Sequence, residues 1–281
     1  MYTSPIVYNN ELLRSFNLAD GQYMPHILVT NDDGVMAPGL FALANALRDI
    51  GEVSVLAPDR NWSASGHVKT LHRPLRVKEV QLQDGSTALA SDGAPSDCVA
   101  LAVLGILSDI DLVVSGINPH ANIGHDVTYS GTVTAAMEAV IWGLPGLAVS
   151  LDSPDNHLAA LDYEPAAEYA CRVAELMLTD GYPTNVVLNL NVPYLPVEDI
   201  QGIQLTRQGL RVYHDELLTR KDPRGVPYYW LGGDPPSGIP DQGTDYGAIK
   251  SGFASLTPLN LDLTATDSMG FLSGLISGLK P

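Results

Sequence analysis

The stretch that most limits what this chain can fold into covers residues 26–40, His-Ile-Leu-Val-Thr-Asn-Asp-Asp-Gly-Val-Met-Ala-Pro-Gly-Leu. Ile27, Leu28 and Val29 form a short continuous apolar run, the pattern of a buried strand. Asn31, Asp32, Asp33 and Gly34 follow as a polar turn. After Pro38 and Gly39 the apolar residues Leu40, Phe41, Leu43, Ala44 and Leu47 take helical spacing. Strand, loop and helix in that order build a parallel α/β sheet, whose ligands gather beyond the carboxyl ends of the strands. Two adjacent carboxylates at such a place are costly unless something uses them, and a divalent cation held by oxygen ligands is the most economical user. The plainer alternative is that Asn31 and Asp32 cap a turn while Asp33 is solvated, a common use of Asx residues.

The alternation continues along the chain. Residues 53–56 predict a second strand, closed by Ala57-Pro58-Asp59-Arg60. The hydroxyl-rich loop of residues 61–67 should face the same crevice, which makes Ser63 a candidate ligand or phosphate contact; an ordinary turn serine is the equal alternative from the loop alone. Residues 71–77 and 80–89 predict a strand pair around an Asp84-Gly85 turn. Residues 98–107 predict a helix capped by Ser96 or Asp97, with Cys98 buried in it and not acting as a nucleophile. Residues 110–115 are a third continuous apolar strand. It leads into a loop with Asn118, whose amide oxygen can complete a cation's shell, and Asn122. Ser130-Gly131-Thr132 then opens a helix of small residues, where free N–H groups and two hydroxyls suit an anion. An ordinary helix cap is the alternative there. Strands over residues 147–151 and 186–191 and a helix over residues 159–178 complete the series, with Asp152 just past the first of these strands.

From about residue 202 the texture changes. Residues 203–207 and 211–218 predict strands, Asp222 to Gly225 a turn, and residues 226–231 a returning strand. No core requires this hairpin, so it should project and pack on another subunit. Residues 254–263 predict a last strand and residues 271–279 a short helix. The expected organisation is a polar extension over residues 1–23 with a short helix around residues 11–16, an α/β core over residues 24–200, and a C-terminal hairpin and oligomerisation segment over residues 201–281.

Charge narrows the partners. Fifteen basic against 32 acidic residues give a net charge of −17, which argues against polymeric nucleic acid and against an anionic membrane surface. A small phosphorylated substrate stays open, because a bound cation inverts the local field. Two cysteines, Cys98 and Cys171, form no disulfide framework and no Cys-based zinc motif, which fits a reducing cytoplasm. The N-terminus lacks the basic and apolar regions of a signal peptide, and no apolar run is long enough to span a bilayer.

Taken together, several stretches resemble the survival protein E (SurE) family of metal-dependent 5′/3′-nucleotidases. They are Asn31-Asp32-Asp33-Gly34 with Ala37-Pro38-Gly39; Ala57-Pro58-Asp59-Arg60 with Ser63; Ser115-Gly116-Ile117-Asn118 with Asn122 and Gly124; and Tyr129-Ser130-Gly131-Thr132. Thr244-Asp245 and Thr257-Pro258-Leu259 are similar too. The resemblance implies a Rossmann-like, mostly parallel sheet flanked by helices. It implies one divalent metal ion, Mg or Mn, and hydrolysis of nucleoside monophosphates, with short polyphosphate cleaved by some members. It implies that Asp32, Asp33, Ser63 and Asn118 form the metal shell and that Asn122, Ser130, Gly131 and Thr132 hold the phosphate, with Asp32 and Asp33 catalytic. It also implies homodimers or homotetramers with exchanged C-terminal segments, in agreement with the projecting hairpin. His120 stands where the family often has Gly, and Trp62 where it often has a basic residue. Trp62 thus offers a ring for stacking on a base.

His67, His120 and His125 are the imidazoles near enough in sequence to protonate a leaving alkoxide. Two rival readings remain. One is a phosphatase with a covalent aspartyl-phosphate, which normally wants its second Asp two positions on, where this chain has Gly34. The other is a nucleotide sensor without turnover. No Gly-x-Gly-x-x-Gly fingerprint follows the first strand, which weakens a dinucleotide version of it.

Overall fold

The computed structural model describes residues 24–279 apart from residues 156, 158, 180, 181 and 184. The expected extension and its helix around residues 11–16 lie outside the described residues. The chain builds a nine-stranded sheet in which β1 (His26–Thr30) lies between β2 (Glu52–Pro58) and β5 (Leu112–Asn118). All pairings across β4 (Thr87–Ser91), β2, β1, β5, β6 (Gly146–Asp152) and β7 (Val186–Pro193) are parallel. β3 (Val77–Gln81) runs antiparallel on β4 at one edge. At the other edge β11 (Ala254–Asn260) is antiparallel to β7, and the short β8 (Ile203–Leu205) is parallel to β11.

Both faces of the central strands β1, β5 and β6 are covered, which is why they read as near-continuous apolar runs. Ile27 and Val29 point into a core shared with Leu40, Leu43 and Leu47 of α1 (Pro38–Leu47) and with Tyr169, Val173 and Met177 of α4 (Glu164–Met177). Leu28, between them, points the other way. It meets Cys98 and Val99 of α2 (Pro95–Leu101) and Ala135 and Ala139 of α3 (Gly131–Ile141). The chain runs outward from β1 through β2 to β4, then returns to β5 and proceeds to β6 and β7 on the opposite side. The strand order therefore reverses between β1 and β5, and a crevice opens at their carboxyl ends.

Several boundaries differ from expectation. α2 stops at Leu101, and Ala102–Ile106 forms a wider turn in which Gly105 has φ 139°. The α2 N-terminus is capped from inside by Asp97, whose Oδ2 accepts from Ala94 N, while the Ser96 hydroxyl donates to Val68 O. Residues 71–76 hold no strand; Pro74 interrupts them, and Arg73 is paired to Asp92. β5 runs on to Asn118 because its end pairs with Ser150 of β6. α4 begins at Glu164, with Pro165 in its first turn.

The C-terminal segment carries β9 (Arg211–Lys221) and β10 (Pro227–Gly238), an antiparallel pair separate from the main sheet. A bulge between Asp234 and Ser237 accommodates Pro235 and Pro236. α5 (Asp245–Lys250) packs back on β11 and β7. α6 (Thr266–Ser277) starts earlier than expected and has no buried residue.

Candidate active site

The turn after β1 is built by Asn31. Its amide donates to Gly34 O at 3.0 Å and its Oδ1 accepts from Gly34 N at 3.1 Å. Gly34 has φ 104°, a conformation that β-carbon-bearing residues rarely adopt. Asn31 thus does the turn-closing expected of an Asx residue and leaves both aspartates to the crevice. Asp32 is buried and Asp33 is partly exposed. Burial, opposed mainly by the bond from Thr132, raises the Asp32 carboxyl above its ordinary value. Burial and the neighbouring Asp32 charge push Asp33 up to about 7. Among the described residues no Lys, Arg or His forms an ion pair with either carboxylate; the one side-chain donor to Asp33 is the Asn61 amide, at 3.4 Å.

One crevice of about 1100 Å³ is lined by Asp32, Asp33, Ser63, Asn118, Asn122 and Ser130. Six of the eight site residues expected from sequence therefore meet there. The other two, Gly131 and Thr132, lie directly behind. A Cβ on Gly131 would stand 2.7 Å from Asp32 Cβ and 2.9 Å from its Oδ2, so the α3 backbone approaches the carboxylate as only glycine permits. Thr132 is fully buried, and its hydroxyl donates to Asp32 Oδ1 at 2.6 Å. Its side chain faces the aspartate, and the backbone N–H groups of Gly131 and Thr132 bond the Asp32 carboxylate as well. Ser130 is the α3 N-cap, with Oγ accepting from Val133 N at 3.1 Å. Ser63 is exposed, its N–H held by Asn61 Oδ1 at 2.7 Å.

Asn122 is fixed by a buried polar cluster that sequence reading missed. Asn191 Oδ1 accepts from Asn122 N at 2.7 Å, Asn189 donates to Asn122 O at 2.8 Å, and the Asn122 amide donates to Ser150 Oγ at 2.9 Å. A signal existed: Asn189 and Asn191 alternate within an otherwise apolar strand, so both amides face one side of the sheet.

The three imidazoles separate. His120 lines the crevice. His67 is 2.9 Å from Glu138 Oε2, on the flank of α3, and His125 is exposed outside the lining. Trp62 does not line the crevice either; the Arg60 guanidinium lies 5.1 Å from its ring centroid, so the expected stacking platform is turned away. Cys98 is buried and its thiol is pushed up by burial, consistent with an inert core cysteine.

The far wall comes from the C-terminal segment, through Arg211, Pro235, Pro236, Ser237, Tyr246 and Lys250. Arg211 Nε donates to Asp126 Oδ2 at 2.7 Å, and Lys250 Nζ lies 3.2 Å from Asp152 Oδ2. Buried Asp245 accepts from Gly124 N and Gly209 N, tying this segment to the loop that bears Asn122. Nothing in the local sequence of Asp126 announces a partner 85 residues away.

These features define the class: an α/β protein with a doubly wound, mostly parallel sheet and an acidic crevice at its switch point. The chain belongs to the survival protein SurE family, whose model, described as "Survival protein SurE", matches residues 27–215. It is 52% identical over 252 residues to the 5′-nucleotidase SurE of Herpetosiphon aurantiacus, covering 89% of this chain and 98% of that protein. It is 49% identical over 258 residues to the 5′-nucleotidase SurE of Geobacter sulfurreducens, covering 91% and 96%. The crystal structure of the SurE protein from Aquifex aeolicus superposes with a TM-score of 0.76 at 39% identity, covering 90% of this chain and all of that one. The family, the mostly parallel sheet and the C-terminal hairpin are thus as expected.

Proposed function

We propose that this chain is a nucleotidase that hydrolyses nucleoside 5′- and 3′-monophosphates to nucleoside and phosphate with one divalent cation, Mg or Mn, and that it also accepts short polyphosphate. One observation carries the reading. Two carboxylates with no basic partner among the described residues share a crevice with Ser63, Asn118 and Ser130, the N-cap of an eleven-residue helix. The relatives named 5′-nucleotidase SurE support the nucleotidase part of this reading.

Asp32, Asp33, Ser63 and Asn118 would hold the cation. All four offer hard oxygen donors, the type that Mg and Mn take. The uncompensated charge of the two aspartates fits such an ion, since buried carboxylates otherwise need a partner. When bound, the ion lowers the pKa of a water and offsets charge on the phosphoryl group. The chain's own groups do the rest. Thr132 fixes the Asp32 carboxylate through its 2.6 Å bond. Asp32 or Asp33 orients the attacking water. The Ser130 hydroxyl and Asn122 would receive phosphate oxygens at the start of α3, while the N–H groups of Gly131 and Thr132 behind them hold the Asp32 carboxylate. His120 is the crevice-lining imidazole for protonating the leaving alkoxide.

The exposed apolar side chains of β10, Tyr229, Trp230 and Leu231, and of α6, Phe271, Leu272 and Ile276, support a homodimer or homotetramer joined through the C-terminal segment. Among the described residues no helix is long and apolar enough to cross a membrane, and the charge and cysteine content remain in keeping with a cytoplasmic enzyme.

The test is phosphate release from a panel of 5′- and 3′-monophosphates, p-nitrophenyl phosphate and tripolyphosphate, each with Mg, Mn or EDTA. Release from nucleotides with metal and none with EDTA is expected. Tight nucleotide binding with no release under any metal would mean a sensor, and a trapped acyl-phosphate on Asp32 would mean the covalent route.

A further inference from the structure

Glu138 is the one acidic residue of α3, and it is buried: its side chain is 4% exposed. Three donors surround its carboxylate. His67 Nε2 lies 2.9 Å from Oε2, Lys69 Nζ lies 3.2 Å from Oε1, and Trp142 Nε1 donates to Oε1 at 2.8 Å. The Lys69 ammonium also sits 5.6 Å from the Trp142 ring centroid. Burial alone would raise the carboxyl; the bonds from His67 and Trp142 and the charge and bond of Lys69 hold it below its ordinary value.

The origin of these donors matters. Trp142 belongs to the end of the same helix, but His67 and Lys69 belong to the loop that leaves β2 and crosses the crevice. That loop carries Asn61, which reaches Asp33, and Trp62, whose backbone N–H donates to the Asp32 main-chain O at 2.7 Å. It also carries Ser63, on the crevice wall. It has two further ties near Ser63: Gly66 N donates to Tyr129 O, just before α3, at 2.9 Å, and the Thr134 hydroxyl of α3 donates to Gly66 O at 3.1 Å. Glu138 lies two turns along α3 from Thr132, which holds Asp32. One helix therefore bonds two parts of the near wall of the crevice, the aspartate through its first turn and the Ser63 loop through Glu138.

We infer that Glu138 is a positioning residue: through His67 and Lys69 it anchors the Ser63 loop to α3 and sets the place of Ser63 opposite Asp32 and Asp33. This inference rests on the metal-dependent nucleotidase reading for its catalytic consequence. A buried ion pair contributes little net stability compared with well-packed apolar groups. What three donors on one carboxylate supply is a fixed direction for the segment that bears them. The inference also accounts for His67, which sequence analysis offered as a proton donor: its imidazole serves the loop and not the leaving group.

The test compares three variants. Glu138→Gln keeps an acceptor for Trp142 and removes the charge that holds His67 and Lys69. His67→Gln removes one loop tie and leaves the carboxylate in place. Trp142→Phe removes the donor within the helix and leaves both loop ties. Two readouts are followed beside thermal stability: Mn²⁺ affinity by water-proton relaxation, and amide exchange across residues 61–66. Glu138→Gln and His67→Gln are expected to weaken Mn²⁺ binding and lower kcat/KM by about tenfold, the scale of a small misplacement of a reacting group. Exchange across residues 61–66 should rise in both, while Trp142→Phe changes neither readout. If all three lower the melting temperature alike while Mn²⁺ affinity, kcat/KM and loop exchange stay as in the wild type, Glu138 is a structural group and the inference falls. If the wild type binds no Mn²⁺, the metal reading falls separately. Loop exchange then decides the anchoring: faster in Glu138→Gln than in Trp142→Phe upholds it, equal rates overturn it.

Discussion

Thr132 Oγ1 donates to Asp32 Oδ1 at 2.6 Å, a bond between residues 100 positions apart that joins the loop after β1 to the first turn of α3. Both groups are buried, so the bond leaves Asp32 little freedom and leaves its other oxygen, Oδ2, beside Gly131. Removing the hydroxyl while keeping the shape isolates this effect. Under the proposed metal-dependent reaction, Thr132→Val is expected to lower kcat/KM by about ten- to a hundredfold, the scale of losing a group that orients a ligand carboxylate. Thr132→Ser should retain activity within about threefold. Steady-state kinetics on both variants check this; equal activity in Thr132→Val and wild type would remove the orienting role.

The close approach of α3 to Asp32 predicts a second effect. Gly131→Ala would put a methyl group 2.7 Å from Asp32 Cβ. Overpacking of this kind costs about 1–3 kcal/mol and displaces what it meets. Melting temperature should fall, and phosphate release should fall by more than the loss of folded protein explains.

The pH dependence of the metal-free protein follows from Asp33. Its folded carboxyl is raised by burial and by Asp32 to about 7, from an ordinary value of 3.8. A raised carboxyl binds protons more tightly folded than unfolded. Its contribution to stability is present below the unfolded value and is lost as pH rises through about 7. With EDTA present, the melting temperature should drop between about pH 4 and pH 7. Asp33→Asn should flatten that drop, and adding Mn²⁺ should reverse it for the wild type alone. Calorimetry across this range decides it: a drop of the same size in Asp33→Asn would assign the effect elsewhere.

Asp126 links the hairpin to the crevice. It receives Arg211 Nε and Tyr213 OH, each at 2.7 Å, and both Asp126 and Arg211 line the crevice wall. Asp126→Ala is expected to destabilise by about 1–3 kcal/mol, since it leaves a largely buried guanidinium without its acceptor. It should also raise KM several-fold by loosening the loop between β5 and α3. Urea unfolding and KM measured on the same preparation separate the two effects.

What sequence made legible follows a physical rule. β1, β5 and β6 announced themselves because strands buried on both faces need near-continuous apolar residues. Asp32 and Asp33 stood out because such a strand rarely ends in two charges. Elements with weaker demands misled. Residues 71–76 have strand-like side chains, but Pro74 and the Arg73–Asp92 pair hold them otherwise. β10 runs to Gly238, past Leu231, because a bulge absorbs two prolines that argue against a strand. The Arg211–Asp126 and His67–Glu138 pairs were out of reach, since their partners lie 85 and 71 residues apart and neither residue is unusual among its neighbours. Trp62 shows the reverse error: an aromatic in a crevice loop suggests stacking, yet its ring turns toward Arg60.

The most direct measurement is Mn²⁺ stoichiometry and phosphate release from a nucleoside 5′-monophosphate on the same samples of wild type, Asp32→Asn and Asp33→Asn. The expected result is one Mn²⁺ per chain in the wild type and release abolished by EDTA. Both variants should bind the ion weakly and release no phosphate while staying folded by circular dichroism. Full release in the presence of EDTA, or full release by either variant, would contradict a metal-dependent reaction at Asp32 and Asp33.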